Sequence, residues 1–417
     1  MPSPDVSKSP PTVAGRAAVA SPDPDRAVRE KAAELGFDAV GFAAADLPLT
    51  ADFERYEAFL AAGMHGRMGY LASSAEVRRR VDTDAILEGA RSVVCVAKSY
   101  RRDPRDEALD PPLAHGIARY ARGHDYHNFA RRRLRQLAKF IRGLGTAEAP
   151  ARARPLVDDA PVLERAWAAR AGLGFIGKNG LLIVPGQGSM VLLGEVVTTL
   201  ALTPGTPMTE RCGECTLCLE ACPTGAFVRP FVLEPRRCVS YLTIEQLEEI
   251  PLALREGVGE HLFGCDECQT VCPYNGSPRA PAPGRMASFA PLARWSETSL
   301  TSLVRLDEEG WQKLRIGTPL NRAHREGIAR NAAIVLGNRR EKAAGPALRA
   351  AASGDPSRVV REAAAWALQR VVERPDSSAD RSLVLGGTDD AEVALGSVDR
   401  PGGGAHRALR SGAGDPD

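Results

Sequence analysis

Residues 212–223, CGECTLCLEACP, decide how the middle of this 417-residue chain folds. Their cysteines are separated by two, two and three residues, and a proline follows the last one. In bacterial ferredoxins this spacing lets three thiolates hold one iron–sulfur cube while the fourth ligates a neighbouring cube. Residues 265–273, CDECQTVCP, repeat the end of the pattern. The two runs therefore predict a ferredoxin-like module with two 4Fe–4S clusters.

The second run lacks a first cysteine at the usual spacing, and Cys238 is the only other cysteine in this block. By crossed ligation we expect a first cluster on Cys212, Cys215, Cys218 and Cys272, and a second cluster on Cys222, Cys238, Cys265 and Cys268. Pairs of CxxC motifs also hold zinc, but zinc ribbons do not usually carry the xxxCP ending twice. The ninth cysteine, Cys95, lies in an apolar stretch and is interpreted as a core residue.

The composition is that of a soluble globular protein, with 44% hydrophobic and 25% charged residues. A net charge of +2 gives no bulk electrostatic argument for nucleic acid. The first 25 residues lack an apolar export signal, and no window approaches the roughly 18 apolar residues of a membrane span. We therefore expect a cytoplasmic protein with no membrane partner. Because nothing indicates a coiled coil or a large apolar stripe, a monomer is expected.

Helix and strand patterns alternate up to about residue 203 and predict an α/β-like catalytic domain of the α+β class. Residues 91–97 (RSVVCVA) read as a buried strand, and residues 128–143 (NFARRRLRQLAKFIRG) as an amphipathic helix with a basic face. Farther on, RNAA at 330–333 recurs as REAA at 361–364, which favours a HEAT-like helical pair, although an ordinary helical subdomain fits about as well. The expected organisation is a disordered tail (1–24), the catalytic domain (25–204), the cluster domain (205–283), a HEAT-like domain (284–373) and a second disordered tail (374–417).

The richest polar stretch outside the cysteine block is VDDAPVLER, residues 157–165. Asp158 follows an apolar residue at the end of a predicted strand, where an aspartate is either a helix cap or a functional acid. Glu164 and Arg165 are expected on a solvated face. Residues 172–179, GLGFIGKN, form a glycine-rich loop that matches neither a Walker A motif nor a dinucleotide fingerprint.

Five segments together resemble the epoxyqueuosine reductase family in its order and spacing: RYARGHDYH (119–127), VDDAPVLERAWAARAGLGFIGKN (157–179), CGECTLCLEACPTGAF (212–227), CVSYLTIE (238–245) and FGCDECQTVCPYN (263–275). The resemblance implies an oxidoreductase that reduces epoxyqueuosine to queuosine at the wobble position of tRNA. It also implies that electrons pass from an unidentified low-potential donor through both clusters to cobalamin in the catalytic domain. Cobalamin enters only through the resemblance.

The resemblance places the general acid at Asp158, the aspartate of the family's Val-Asp-Thr-Ala-Pro-like motif. This chain departs from the family by having Asp159 where a small hydroxyl residue is usual, so Asp159 is the alternative acid. An expelled epoxide oxygen is a poor leaving group unless it is protonated, and a carboxylic acid can protonate it near neutral pH only if burial raises its pKa. We therefore expect enclosure beneath the large corrin to raise the pKa of the acid.

The family also suggests contacts to cofactor and substrate. Cobalamin contacts are expected from Arg80, Asp158, Lys178, Asn179 and Asp266, and from Ser240, Tyr241, Leu242 and Thr243 in a loop after Cys238. Contacts to tRNA are expected from Tyr120, Arg122 and His127, in a polar rim with Asp125 and Tyr126. Arginines 131–133, 135 and 142, with Arg322, Arg325, Arg330, Arg339 and Arg340, would form a phosphate track, or are solvated helix surface.

Two competing functions remain at this point. A cobalamin-dependent reductive dehalogenase would carry similar clusters, but it commonly has an export signal and would not be expected to show VDDAPVLER. A ferredoxin-like electron carrier without an active site would need far fewer residues than this chain has. Both alternatives predict iron–sulfur clusters, so the cysteines alone do not separate them.

Overall fold

The computed structural model describes residues 23–158, 160–276 and 289–372. The predicted tails lie outside these ranges, apart from Asp23 and Pro24, which start the first helix. Asp159 and residues 277–288 also lie outside them. All described residues belong to one unit of the chain.

The central structure of the N-terminal part is a four-stranded antiparallel sheet. The strands of the chain are β1 Ala39–Ala44, β2 Ser92–Ser99, β3 Ala153–Leu156, β4 Phe175–Ile176, β5 Leu182–Ile183, β6 Val191–Thr198, β7 Phe227–Arg229 and β8 Val232–Leu233. The sheet has the order β1-β2-β6-β3, and the two remaining pairs, β4-β5 and β7-β8, form small hairpins. Every residue of β2 is buried, as expected for an apolar central strand covered on both faces. The predicted strand at 91–97 is confirmed.

Eighteen α-helices lie in the described part of the chain. They are α1 Pro24–Glu34, α2 Thr50–Ala61, α3 Ala75–Arg79, α4 Pro104–Glu107, α5 Pro112–His115, α6 Tyr126–Arg142, α7 Glu164–Arg170, α8 Leu217–Glu220, α9 Val239–Ile244, α10 Leu252–Val258, α11 Glu267–Thr270, α12 Pro273–Gly276, α13 Arg294–Glu297, α14 Leu300–Val304, α15 Glu308–Arg315, α16 His324–Arg339, α17 Gly345–Gly354 and α18 Arg358–Val372. None of the described helices is both long and apolar enough to cross a membrane.

Two cores cover the two faces of the sheet. On one face α7 buries Trp167 and Ala168 against Val93, Cys95 and Val197 of the strands. On the other face α6 buries an apolar stripe that includes Leu134 and Leu137, while its arginines alternate with that stripe. The amphipathic helix predicted at 128–143 is therefore confirmed, and Asp125 caps it by accepting the backbone N–H of His127.

A third core joins the helices on either side of the cluster residues. Helix α9 occupies residues for which we predicted a loop, because Leu242 and Ile244 are buried in this core and favour a helical turn. Helix α16 packs against α9 and α18, and twelve of its sixteen residues are buried. Its Asn331 is fully buried and donates through Nδ2 to the carbonyl oxygens of Thr243 and Leu262, both at 2.9 Å. This contact ties the C-terminal helices to the segment between Cys238 and Cys265.

Candidate active site and cluster ligands

The eight clustered cysteines form two groups in space. Burial raises the pKa of Cys218, and Cys272 and Cys215 add to the rise, so these three thiols are neighbours. Cys212 belongs with them, because Cys272 also acts on its pKa, after burial and the side chain of Glu210. All eight cysteines are free thiols.

The second group lies around Cys238. Burial raises the pKa of Cys268, and Cys265, Cys238 and Cys218 add to the rise in that order. Cys222 acts in turn on Cys238, after burial. The cysteine pairs named above fall within the two predicted sets of four, except for Cys218 and Cys268, which belong to different sets. Within the described residues, no three His, Cys, Asp or Glu side chains converge as they would on a single metal ion such as zinc.

Asp158 lies in a turn after β3 and has a strained backbone, with φ of 38°. Its carboxylate Oδ2 accepts a hydrogen bond from the Tyr126 hydroxyl at 2.8 Å and lies 2.9 Å from Nε2 of His127. Its backbone N–H donates to Oε1 of Glu164 at 2.8 Å. Glu164, at the start of α7, therefore holds the turn in place; the sequence had indicated only a solvated side chain.

His127 lies between two carboxylates. Its Nδ1 is 2.7 Å from Oδ1 of Asp125, and its Nε2 faces Asp158. A ring whose two nitrogens both face carboxylate oxygens can donate to both only as the imidazolium. Burial lowers the pKa of His127, but hydrogen bonds to Asp125 and Asp158 outweigh burial and raise the pKa to about 9. The proton of this group is therefore held on His127 at neutral pH.

The pKa of Asp158 moves in the direction opposite to our expectation. The hydrogen bond from His127 lowers it below its ordinary value, and this effect outweighs burial, with Tyr126 adding to the decrease. The side chain of Asp158 is also 51% exposed, so desolvation is incomplete. Our expectation relied on enclosure beneath a corrin, and the protein's own side chains act in the other direction. Asp159 lies outside the described residues.

Aromatic side chains in contact with one another extend from Asp158 towards the clustered cysteines. The Tyr126 ring stacks on His127 at 4.1 Å and meets Tyr120 edge-on at 5.8 Å, and Tyr120 in turn meets Tyr100 at 6.3 Å. Burial raises the pKa of Tyr120, and Asp266 and Asp158 add to the rise, so both carboxylates lie near its hydroxyl. Asp266 stands between two of the clustered cysteines, and therefore these aromatic side chains connect the turn of Asp158 to the second group of thiols.

A second group of side chains near Asp158 forms a rim that consists of Tyr70, Glu245 and Arg322. Arg322 lies 4.5 Å from the centre of the Tyr70 ring and pairs with Glu245 at 3.0 Å. Burial raises the pKa of Tyr70, and Glu245 and Asp158 also act to raise it, which places these side chains near the turn of Asp158. The sequence motifs did not single out Tyr70 or Glu245; an exposed aromatic residue is a weak signal without its neighbours.

Three residues that we predicted to contact cobalamin or tRNA have partners within the protein. Arg80 is exposed and pairs with Asp82 at 2.7 Å. Lys178 donates to the carbonyl oxygens of Gly213 and Cys215, so it supports the first cysteine loop. Arg122 is 5% exposed and pairs with Asp110 at 3.1 Å, which makes it part of the fold; as a contact to tRNA it is not supported.

The residues predicted after Cys238 have mixed surroundings. Leu242 and Thr243 are buried, and the Thr243 hydroxyl donates to the Val239 carbonyl and accepts the N–H of Gly264. The Tyr241 hydroxyl accepts the backbone N–H of Arg67 at 2.9 Å. Ser240 is partly exposed. Of these four side chains, Ser240 is the one whose surroundings leave room for a ligand.

Two arginines of the predicted phosphate track are buried. Arg330 is 1% exposed and donates to the carbonyl oxygens of Leu242 and Glu248, while Arg325 pairs with Asp355 at 3.0 Å. These two arginines are structural, and their inclusion in a phosphate track is wrong. Arg132 and Arg135 are exposed on α6.

Comparisons with known proteins place the chain in a family. Residues 80–159 match the family model described as epoxyqueuosine reductase QueG, DUF1730, and residues 211–275 match the model of a 4Fe-4S double cluster binding domain. An epoxyqueuosine reductase of Pseudomonas aeruginosa is 40% identical over 359 residues, which cover 84% of this chain and 96% of that protein.

Solved structures agree with this match. An epoxyqueuosine reductase with a tRNA-Tyr epoxyqueuosine-modified stem loop is similar with a TM-score of 0.73 and 29% identity, over 83% of this chain and 89% of the other. A structure of epoxyqueuosine reductase from Bacillus subtilis, with an aspartate-bearing catalytic loop swung out of its active site, has a TM-score of 0.69 and 30% identity, over 82% and 89% of the two chains. This chain belongs to the epoxyqueuosine reductase family of oxidoreductases.

Proposed function

We propose that this chain reduces epoxyqueuosine to queuosine at the wobble position of tRNA, with Asp158 delivering a proton to the epoxide oxygen. The observation that supports it most directly is the chain of contacts from Asp125 through His127 to Asp158. Membership of the family supports the substrate, since relatives carry that name and one was solved with an epoxyqueuosine-modified stem loop. A reductive dehalogenase or a bare electron carrier would not account for this family membership.

The proton for the reaction is held on His127. Removing the epoxide oxygen as water consumes two electrons and two protons, and the oxygen leaves only when protonated. Asp158 is ionised in the resting state, so it cannot be the initial store. As negative charge grows on the substrate oxygen, Asp158 takes the proton of His127 through the 2.9 Å contact and presents it to the oxygen. Asp125 stabilises the imidazolium until that moment.

The turn that carries Asp158 is suited to movement. Its strained backbone is held by Glu164, Tyr126 and His127, and a relative is described with its catalytic loop swung out of the active site. A loop of this kind lets a nucleotide enter and then brings the acid to it. We propose that Asp158, with its proton supplied by His127, is in the productive position when all three contacts are made.

The electrons would reach the site through the two clusters. We propose Cys212, Cys215, Cys218 and Cys272 as ligands of the first cluster, and Cys222, Cys238, Cys265 and Cys268 as ligands of the second. All eight are free thiols, and their spacing in the chain suits iron–sulfur ligation. The first group lies by the partly exposed loop that Lys178 supports, and the second lies beside Asp266 and Tyr120. An external low-potential donor would therefore deliver electrons to the first cluster, and the second would pass them on.

The family implies cobalamin as a cofactor, and some of the residues predicted to contact it have polar atoms that are free to do so. Asn179 is 5% exposed and its Nδ2 has no hydrogen-bond partner within the described residues, so it offers a donor to a ligand. Ser240 is also accessible, and Asp266 lies at the cluster side of the site. We propose that these residues help to hold cobalamin, which when bound would supply a cobalt centre that accepts electrons from the clusters. Arg80, Lys178 and Asp266 have other partners and support it less.

The substrate would enter between the catalytic turn and the rim of Tyr70 and Arg322. A base taken out of an anticodon loop is recognised by stacking on aromatic side chains and by cationic contacts to flanking phosphates. Tyr70 is 48% exposed and Arg322 lies against it, so this pair offers both. Tyr120 and His127 would contact the base deeper in the site, and Arg132 and Arg135 would contact phosphates.

The remaining expectations are part of the same proposal. We propose that helices α16 to α18 form a HEAT-like pair, because α16 and α18 carry the related segments RNAA and REAA and pack on each other. We also propose that the protein works as a cytoplasmic monomer.

The direct test is chemical. The protein, with its clusters reconstituted and cobalamin added, is reduced without oxygen and incubated with tRNA that contains epoxyqueuosine. The RNA is then digested, and the masses of its nucleosides are measured by mass spectrometry. Conversion to a nucleoside one oxygen lighter supports the proposal, and persistence of the epoxide while both clusters are reduced refutes it. Retention of clusters without cobalamin would favour the electron carrier.

A further inference from the structure

Residues 62–74 carry Tyr70 of the rim to the edge of the site. They connect α2 to α3 and include a short 3₁₀-helix, Gly69–Ala72, in which Tyr70 lies. Every residue of this segment is exposed or partly exposed, and none is buried. Because the segment has no core of its own, the position of Tyr70 depends on a few specific contacts to its neighbours.

One of these contacts joins the segment to α9. The Tyr241 hydroxyl accepts the backbone N–H of Arg67 at 2.9 Å, although the two residues are 174 positions apart in the chain. Tyr241 is 7% exposed, so its ring is held in the core while its hydroxyl faces the segment. Helix α9 is itself tied to α16, as described above. The hydroxyl is therefore presented from a well-fixed element.

Gly66 brings the segment close to this hydroxyl. Its φ of 53° lies in the left-handed region, which glycine adopts at little cost. A Cβ atom at this position would lie 2.5 Å from the oxygen of the Tyr241 hydroxyl and 2.9 Å from its Cζ. Any side chain at residue 66 would thus push the segment away from α9. Gly63 also has a positive φ, 62°, but a Cβ atom there would meet none of the described residues within 4 Å.

Two weaker contacts hold the same side of the segment. The Arg67 guanidinium pairs with Glu248, and Met68 packs against the core that contains Tyr241. The side chains of the ion pair are 51% and 60% exposed, and an exposed pair of this kind contributes little by itself. The Tyr241 hydroxyl is therefore the main polar tie between the segment and α9.

The other side of the segment is held by α2 and α3. The Tyr56 hydroxyl donates to the carbonyl oxygen of Leu71, and Nη2 of Arg78 donates to the carbonyl oxygen of Tyr70 at 3.1 Å. Both contacts use the backbone, so they leave the Tyr70 ring free. That ring is 48% exposed and has the Arg322 guanidinium 4.5 Å from its centre.

We propose that Tyr241 is a positioning residue for the substrate, whose hydroxyl fixes segment 62–74 so that the Tyr70 ring is in place to stack on the wobble base. The inference deepens the proposed function and rests on it. A stacking ring favours binding most when it is already in place, because ordering a loose segment on binding costs conformational entropy. In this role Tyr241 touches neither the substrate nor the reacting atoms and acts through Tyr70.

Hydrogen exchange measures the contact itself. In Tyr241→Phe the backbone N–H of Arg67 loses its acceptor while the ring stays in the core. Exchange in peptides from residues 62–74 of the holoprotein should become about fivefold faster in Tyr241→Phe, as for the loss of one hydrogen bond, and should also become faster in Gly66→Ala. Gly63→Ala is the matched control, since it adds the same methyl group at a similar φ without a contact. Exchange at the wild-type rate in Tyr241→Phe, or equal effects of Gly63→Ala and Gly66→Ala, would overturn the inference.

Binding of stem loops separates positioning from a general loss of structure. Affinity for an epoxyqueuosine stem loop should fall about fivefold in Tyr241→Phe and in Gly66→Ala, while affinity for a stem loop without a base at the wobble position should stay within about twofold of wild type. KM should rise by the same factor and kcat should change by less than about twofold, because the groups around Asp158 are untouched. An equal loss for both stem loops would mean that Tyr241 only supports the fold. Gly66→Ala, in a partly exposed position, keeps the test valid if Tyr241→Phe lowers the melting temperature.

A double variant shows whether Tyr241 acts through Tyr70. Tyr70→Ala should weaken binding of the epoxyqueuosine stem loop by about tenfold or more, the effect of losing one base stacked on an aromatic ring. Adding Tyr241→Phe should then cause no further loss, because no ring is left to position. A further fivefold loss in the double variant would overturn the inference. If wild-type enzyme makes no queuosine, the proposed function fails; if it does and Tyr241→Phe binds both stem loops as wild type does, only the role of Tyr241 fails.

Discussion

Asp125→Asn isolates the charge that keeps His127 protonated. Asparagine caps a helix about as well as aspartate, so the backbone N–H of His127 keeps its acceptor and α6 should be unaffected. The pKa of His127 is about 9, against 6.5 for a free imidazole, and hydrogen bonds to two carboxylates cause the rise. Removing one of the two charges should remove about half of the rise and bring the pKa to about 8. Because the side chain is 23% exposed, the change corresponds to about 1–2 kcal/mol after allowance for solvent screening.

The assay is kcat between pH 6 and 10, with saturating tRNA and excess chemical reductant. If His127 holds the proton used in the reaction, wild-type kcat should fall as the pH rises through about 9, and the fall should begin about one pH unit earlier in Asp125→Asn. At pH 6 the two enzymes should differ little, because His127 is protonated in both. Asp103→Asn is the matched control, since Asp103 caps α4 in the same way and has no histidine partner. An unchanged alkaline limb in Asp125→Asn would refute the role of His127.

The free energy of unfolding should also depend on the protonation of His127. A pKa that is raised in the folded state contributes stability that is fully present below the unfolded pKa of 6.5 and is lost as the pH rises through about 9. The stability difference between wild type and Asp125→Asn, measured by urea unfolding, should therefore shrink between these two pH values. A difference that grows with pH would contradict this linkage.

The remaining predictions concern the acid, the clusters and the C-terminal helices. Asp158→Asn should keep both clusters and lose about 100-fold or more in kcat, while Asp159→Asn should lose little; the reverse result, in the mass assay of tRNA, would reassign the acid. Cys272→Ala should remove the first cluster and leave the second, so iron analysis should give about half of the wild-type iron; loss of the second cluster instead would refute the crossed assignment. Arg330→Met should lower stability by about 2–4 kcal/mol because it leaves the carbonyl oxygens of Leu242 and Glu248 unpaired, and a melting temperature equal to that of wild type would contradict this.

The cysteine module could be predicted from the sequence because its ligands are close together in the chain. Spacings of two residues let three thiolates bind one cube, and the cysteine after a spacing of three residues ligates the neighbouring cube. The five segments together indicated the family, and the resemblance placed the acid at Asp158 with Asp159 as the alternative. Buried strands and amphipathic helices such as β2 and α6 were also predictable, since their apolar periodicity depends only on neighbouring residues.

The protonation of the site could not be predicted in this way. Asp158 and His127 are 31 residues apart, and only the fold places His127 between two carboxylates. Their distances reverse the expected direction of the Asp158 pKa, because a hydrogen bond to the ionised form outweighs partial burial.

The burial of individual charged residues could not be predicted from the sequence either. Arg330 and Glu195 look like surface residues in the chain, yet both are 1% exposed, the first paired with carbonyl oxygens and the second unpaired. The sequence by itself determined the family, the cluster ligands that we propose and the identity of the proposed acid, because these depend on residue type and spacing. Only the tertiary structure decided which group holds the proton, because a pKa depends on distances and solvent exposure that no local pattern encodes.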